Sequence, residues 1–306
     1  MTTALTDALA WVVIATFSAS AVLATVDDRE RLQRYAAVAA WVVFAVFWAL
    51  LIEHFLIAEQ SIVEGVLAAA AVPASLYTAY LVGSGRKDLE TLTRAIAIMG
   101  LIYIPFQTIQ PLQEWAILTT ADHAAWLMGQ FGYHPPVETA PGYHGYESKF
   151  VFTGEHVVTG ETWDFPTTVV LACTGIGSIS IVSGLALAVD APLKRRLQAV
   201  GLAAPLIYGM NLVRVSFIAI AHGEQWFNGE TLQSVVFALF PSNDPNMVSY
   251  LFADRMLAQS ASVVVLVVLT LALLRIVPEL GGVIEDVAYV ATGNEYDVTG
   301  RFAQRN

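Results

Sequence analysis

The sequence predicts an all-α polytopic membrane protein: about seven transmembrane helices, an extracellular interfacial helix and a small cap of hairpin and loop. Three observations carry this. Hydrophobic residues make up 56% of the 306-residue chain and charged residues only 13%, with a mean hydropathy of +0.61, which excludes an ordinary soluble domain. The apolar residues gather in runs that reach the roughly 17–25 residues a helix needs to cross a bilayer. Basic residues fall in alternate connections between those runs, the pattern that orients polytopic chains.

In order along the chain, spans are predicted at 8–26, 35–52, 62–83, 95–109, 166–189, 199–221 and 256–277. The fourth is short and runs into Pro105 and Pro111. The start, Met1-Thr2-Thr3, lacks a basic n-region and Asp7 precedes the first apolar run, so no cleavable signal peptide is expected. Arg29, Arg31 and Arg34 follow the first span, and Arg86, Lys87 and Arg94 separate the third from the fourth. Lys194, Arg195 and Arg196 separate the fifth from the sixth, and Arg275 ends the seventh. All four clusters fall on one side, whereas Lys149 is the one basic residue of the opposite connections 53–61, 110–165 and 222–254. The positive-inside bias then places the N-terminus outside a cell membrane and the tail 278–306 in the cytoplasm.

The long outer connection has organisation of its own. Residues 112–131 mix apolar and polar types with Trp115 and Trp126, which predicts a helix lying in the membrane interface. Residues 132–145, rich in Pro, Gly and Tyr, predict a loop. Residues 150–152 and 157–162 predict a short hairpin turning at 153–156. Asp164 and Pro166 then predict the N-cap and first turn of the fifth span. The expected division is an integral membrane domain over 1–277, with 110–165 covering its outer mouth, and a solvated tail over 278–306.

The net charge is −11, and lysine occurs only at Lys87, Lys149 and Lys194. Such a surface suits a high-salt, halophilic cytoplasm, where screening removes self-repulsion; arginine-for-lysine drift in a GC-rich genome is the alternative. No basic aromatic patch is present, which excludes nucleic acid as a partner.

Chemistry concentrates in three places. Cys173, the only cysteine, cannot form an internal disulfide. Arg214 lies in the sixth span, where a charge is expensive and usually functional. Arg255 opens the seventh. A rise of about 1.5 Å per residue sets Cys173 roughly 24 Å and Arg214 roughly 22 Å above the cytoplasmic ends of their helices, and Arg255 roughly 33 Å above its own. A long arginine reaches down over such a distance, so the three are expected at one level in the outer leaflet. Taken singly, an apolar-helix cysteine is by default a small buried hydrophobe, and Arg255 an interfacial arginine with its head in water. Taken together they form a thiol beside guanidinium groups, which stay charged when buried and favour the thiolate. That is the equipment of acyl transfer through a thioester. Thr174, Gly175, Asn211 and His222 stand close by in sequence as supporting residues. No metal or other cofactor is expected: His134, His144 and His156 match no zinc spacing and the HExxH pattern is absent.

Ala172-Cys173-Thr174-Gly175-Ile176, Asn211-Leu212-Val213-Arg214-Val215 and Ala253-Asp254-Arg255 together resemble the motifs of the exosortase/archaeosortase family of membrane cysteine transpeptidases. Their order and spacing are kept from about residue 35 to 277. Bacterial members usually carry histidine at the third motif; the archaeosortase A-like branch is similar to this chain in having arginine, here Arg255. That leaves no obvious general base, His222 being the nearest histidine and, at an interfacial position, expected to be satisfied by water. The resemblance implies an enzyme that recognises a C-terminal signal on surface proteins such as S-layer glycoproteins: a Pro-Gly-Phe-type motif, a transmembrane helix and a basic cluster. It implies cleavage near the motif on the outer face and transfer of the new C-terminus to a membrane lipid. Cys173 is then the nucleophile, with Arg214 and Arg255 activating the thiol and steadying the oxyanion. Two alternatives stay open: an intramembrane cysteine protease without lipid transfer, and a lipid or anion transporter whose cysteine is structural, although the paired broken helices of transporters are absent.

Overall fold

The computed structural model describes residues 4–26, 28–58, 62–86, 89–142, 144–240, 242–298 and 300. The chain divides into two compact units, one of Met1–Thr108, Ser180–Ala203 and Ala272–Asn306, the other of Ile109–Ile179 and Ala204–Leu271.

In the first unit, α1 (Ala4–Leu23), α2 (Glu30–Glu53), α3 (Ile62–Gly83) and α4 (Glu90–Thr108) pack through a core of Phe17, Ala40, Trp41, Leu81, Val82 and Ala97. Phe17 meets the Trp41 ring edge-on, with centroids 5.3 Å apart, an arrangement that aromatic quadrupoles favour. The Trp41 indole N–H donates to Thr93 Oγ1 at 3.1 Å, so the buried polar edge is satisfied. Gly184, on α6 (Ile176–Ala188), lets that helix touch α4: a Cβ there meets Met99 Cγ at 2.3 Å and the Ala95 carbonyl at 2.9 Å.

The second unit is built on α5 (Gln110–Gln130) and an antiparallel sheet in the order β1 (Val137–Ala140), β2 (Tyr146–Glu155), β3 (Thr162–Thr168). A 3-10 turn, Leu171–Thr174, leads from the sheet into α6, and the 31-residue α7 (Leu193–Gly223) follows. Then come α8 (Glu230–Leu239), a 3-10 turn Pro245–Met247, α9 (Val248–Leu251), a π-helical turn Phe252–Ala258 and α10 (Gln259–Ile276). Phe150, Phe152 and Phe165 of the sheet, Ile117 and Met128 of α5, and Val215 and Ala219 of α7 share one core. Gly223 makes that packing close, since a Cβ on it lies 2.2 Å from Phe152 Cγ.

The helical membrane architecture is as expected, but the spans differ. Among the described residues five helices are long and apolar enough to cross a membrane, or six if the broken pair α4 and α5 is one span. The break is at Ile109, whose backbone is extended, and Pro111 sits in the first turn of α5, a position where its missing N–H costs nothing. The predicted fifth span is the larger correction. Residues 166–168 belong to β3, and the helix that follows, α6, has only 13 residues. Pro166 pairs with Val151 and does not start a helix; β3 is an edge strand, where an absent donor is tolerated. Asp164, expected as an N-cap, accepts from the Thr153 hydroxyl at 2.8 Å.

The segment read as an interfacial helix is helical, as α5. The hairpin is present too, but its strands are β2 and β3 and it turns at 156–161, further along than expected. The predicted loop contains β1, held to β2 by the Lys149–Glu138 pair at 2.7 Å. The tail is also more than a solvated end. It forms α11 (Leu280–Thr292), with Leu280, Gly281 and Val283 buried and the Arg86 guanidinium 3.6 Å from the centre of the Tyr289 ring.

Candidate functional site

Every residue singled out by the sequence lies in the second unit. Cys173 stands in the Leu171–Thr174 turn, its N–H donating to the Val170 carbonyl at 2.8 Å. The side chain is half-buried against the core that includes Phe165, Val169 and Ala219. A helix interior was the expectation; the turn arises because β3 runs on to Thr168 and Gly175 takes φ +77°, a left-handed conformation that glycine adopts without cost. Thr174 braces the turn, donating its hydroxyl to the Leu171 carbonyl at 2.7 Å and accepting from the Ile176 N–H at 3.3 Å.

Asn211 and Arg214 lie three residues apart on α7 and therefore on one face. Asn211 donates its amide to the Cys173 carbonyl. Its Cβ sits where Gly175 leaves room, 3.3 Å from the position a Gly175 Cβ occupies. Arg214 Nη2 donates to Asp254 Oδ1 at 2.7 Å. Arg255 Nε lies 3.6 Å from Asp254 Oδ2. One face of α7 thus ties the thiol turn to the start of the last span.

Asp254 is the residue that sequence reasoning left out. It stood within the third motif, and two arginines in an apolar setting demand an anion, which was the available signal. Its side chain is 12% exposed against 35% for Arg214 and 37% for Arg255, so the carboxylate is the buried member. Asp254 and Arg255 belong to the π-helical turn Phe252–Ala258; such turns recur at functional sites. Tyr250, one turn earlier, was also missed. It lies within electrostatic reach of Cys173, Arg214, Asp254 and Arg255.

Cys173 interacts electrostatically with Arg214 and Asp254. Arg255 joins the group through Asp254 and Tyr250. The structure thus brings the three motifs together around Asp254. His222 departs from its expected setting: it is 3% exposed and its Nδ1 has no hydrogen-bond partner. Its ring stands edge-on between Phe165, at 5.5 Å, and Tyr250, at 5.4 Å. The close packing of Gly223 against Phe152 draws this end of α7 under the sheet and so away from water. Among the described residues no group of three or more His, Cys, Asp and Glu is arranged to hold a metal.

A thiol, two guanidinium groups and a buried carboxylate in one apolar setting can stabilise an anion at sulfur and a second at an attacked carbonyl. The family model described as transmembrane exosortase matches residues 6–240. Over 305 residues the chain is 45% identical to archaeosortase A of Haloferax volcanii, covering 96% of both chains. Over 287 residues it is 40% identical to archaeosortase A of Natronomonas pharaonis, covering 92% of this chain and 88% of that one. No solved structure matches.

Proposed function

The chain belongs to the transmembrane exosortase family, a family of membrane sorting enzymes, and we propose that it is a cysteine transpeptidase that cleaves a C-terminal sorting signal on surface proteins and passes the new C-terminus to a membrane lipid. The observation that carries this reading is the double tether on α7: Asn211 on the Cys173 turn and Arg214 on Asp254, beside Arg255.

In this scheme Cys173 Sγ, as thiolate, attacks the carbonyl carbon of the scissile peptide in or next to a Pro-Gly-Phe-type motif. The carbonyl electrons move to oxygen and the oxyanion is met by a guanidinium. Collapse breaks the C–N bond, the amine leaves with the proton that the thiol released on ionising, and a thioester remains on Cys173. A nucleophilic group of the lipid head then attacks the thioester, gives up its proton, and frees the sulfur. Arg214, within electrostatic reach of the thiol, holds the thiolate; Arg255 faces the oxyanion. Gly175 leaves the room in which Asn211 reaches the turn. The distribution of basic residues supports an outer-face site, an outside N-terminus and a cytoplasmic C-terminus.

The test is Cys173→Ala co-expressed with a client carrying the motif, a transmembrane helix and a basic cluster. Uncleaved client is expected to accumulate, and continued cleavage ends the proposal. Mass spectrometry of the processed C-terminus separates lipid transfer from hydrolysis: a lipid mass supports transfer, a free carboxylate without lipid the protease alternative.

A further inference from the structure

We propose that Asp254 is the positioning residue of this site: its carboxylate sets the places of the Arg214 and Arg255 guanidinium groups and leaves the cluster with one excess positive charge, which the Cys173 thiolate balances. The inference rests on Cys173 being the nucleophile.

Three observations carry it. The first is geometric: Asp254 Oδ1 accepts from Arg214 Nη2 at 2.7 Å while Oδ2 lies 3.6 Å from Arg255 Nε, so each oxygen faces a different arginine. The second is burial, with the carboxylate about three times less exposed than either guanidinium. A buried charge needs its partners, and breaking such a group by removing one member leaves the others uncompensated. The third is local backbone. Neighbouring residues on a regular α-helix point apart, yet Asp254 and Arg255 meet within a π-helical turn that the Gln259 N–H closes on the Asp254 carbonyl.

The charge count gives the arrangement its chemical meaning. Two guanidinium groups less one carboxylate leave a single positive charge while Cys173 is a thiol. Ionising the thiol brings the cluster to neutrality, the cheapest state in a poorly solvated setting. The same excess charge serves the oxyanion once the sulfur has bonded to the attacked carbonyl carbon and lost its own charge. Tyr250 and His222, which also pack here, add no fixed charge to that balance as neutral side chains.

The experiment uses the full-length chain in membranes with three variants: Asp254→Asn, Asp254→Glu and Cys173→Ala. Client cleavage, the rate of Cys173 alkylation by a maleimide at one fixed pH, and the thermal midpoint are measured. Asp254→Asn removes a negative charge near the thiol, so alkylation is expected to rise roughly tenfold while client cleavage falls at least about thirtyfold. Asp254→Glu keeps the charge and is expected to recover part of the cleavage. A merely structural role lowers the thermal midpoint together with cleavage, any faster alkylation then following from exposure of the half-buried thiol, and that result overturns the proposal. So does a folded Asp254→Glu no better than Asp254→Asn, or an Asp254→Asn as active as the unaltered chain beside an inactive Cys173→Ala. If Cys173→Ala itself still cleaves the client, the nucleophile assignment fails and this inference falls with it.

Discussion

Asn211 donates its side-chain amide hydrogen to the carbonyl oxygen of Cys173, so the helix that carries Arg214 also holds the backbone of the thiol turn. The turn cannot rotate without breaking this bond, and Gly175 beside it has no side chain to push Asn211 away. Sulfur and guanidinium are thereby kept in register by one rigid element, which is what preorganisation of a reacting group requires.

Replacing Asn211 with Ala is expected to lower client cleavage by about tenfold, the equivalent of one net hydrogen bond of roughly 1–1.5 kcal/mol. Cys173 stays in place in this variant and stays reactive toward maleimide. Cleavage kinetics and alkylation measured on the same membranes check this; full cleavage activity contradicts the tether.

Arg214→Lys keeps the positive charge but loses the planar fork that reaches Asp254 at 2.7 Å. An ammonium is more strongly hydrated and deprotonates more readily when buried. Cleavage is expected to drop by about 10²–10³-fold, the range seen on removing a transition-state donor. A lysine variant that cleaves at the normal rate shows that charge alone suffices.

Gly223→Ala inserts a methyl group 2.2 Å from Phe152 Cγ, where the end of α7 meets β2. Overpacking of this kind costs about 1–3 kcal/mol. A lower thermal midpoint in detergent is expected, together with weaker cleavage, since the sheet and α7 share the core that borders Cys173. A midpoint equal to that of the unaltered chain contradicts this packing.

Much of this was legible in the sequence. Long apolar runs declared the membrane helices, because desolvating a backbone leaves few options besides a helix. The three motifs were visible because charge and thiol chemistry stand out against apolar surroundings. The fifth span was misread for the same reason. Residues 166–189 are apolar enough for a helix, yet their first part pairs with β2, and composition does not distinguish a buried strand from a buried helix over a few residues. His222 was expected in water because it follows an apolar run, whereas packing between Phe165 and Tyr250 buries it.

The sequence by itself determined that this chain is a helical membrane protein with one thiol and arginines in an apolar setting, since those properties follow from residue type and spacing. Only the tertiary structure decided that Cys173 sits on a 3-10 turn, that Asn211 holds the turn, and that Asp254 stands between Arg214 and Arg255. Residues 173, 211, 214 and 254 lie on three separate elements, and the distances between their side chains are set by packing across those elements, which no local pattern encodes.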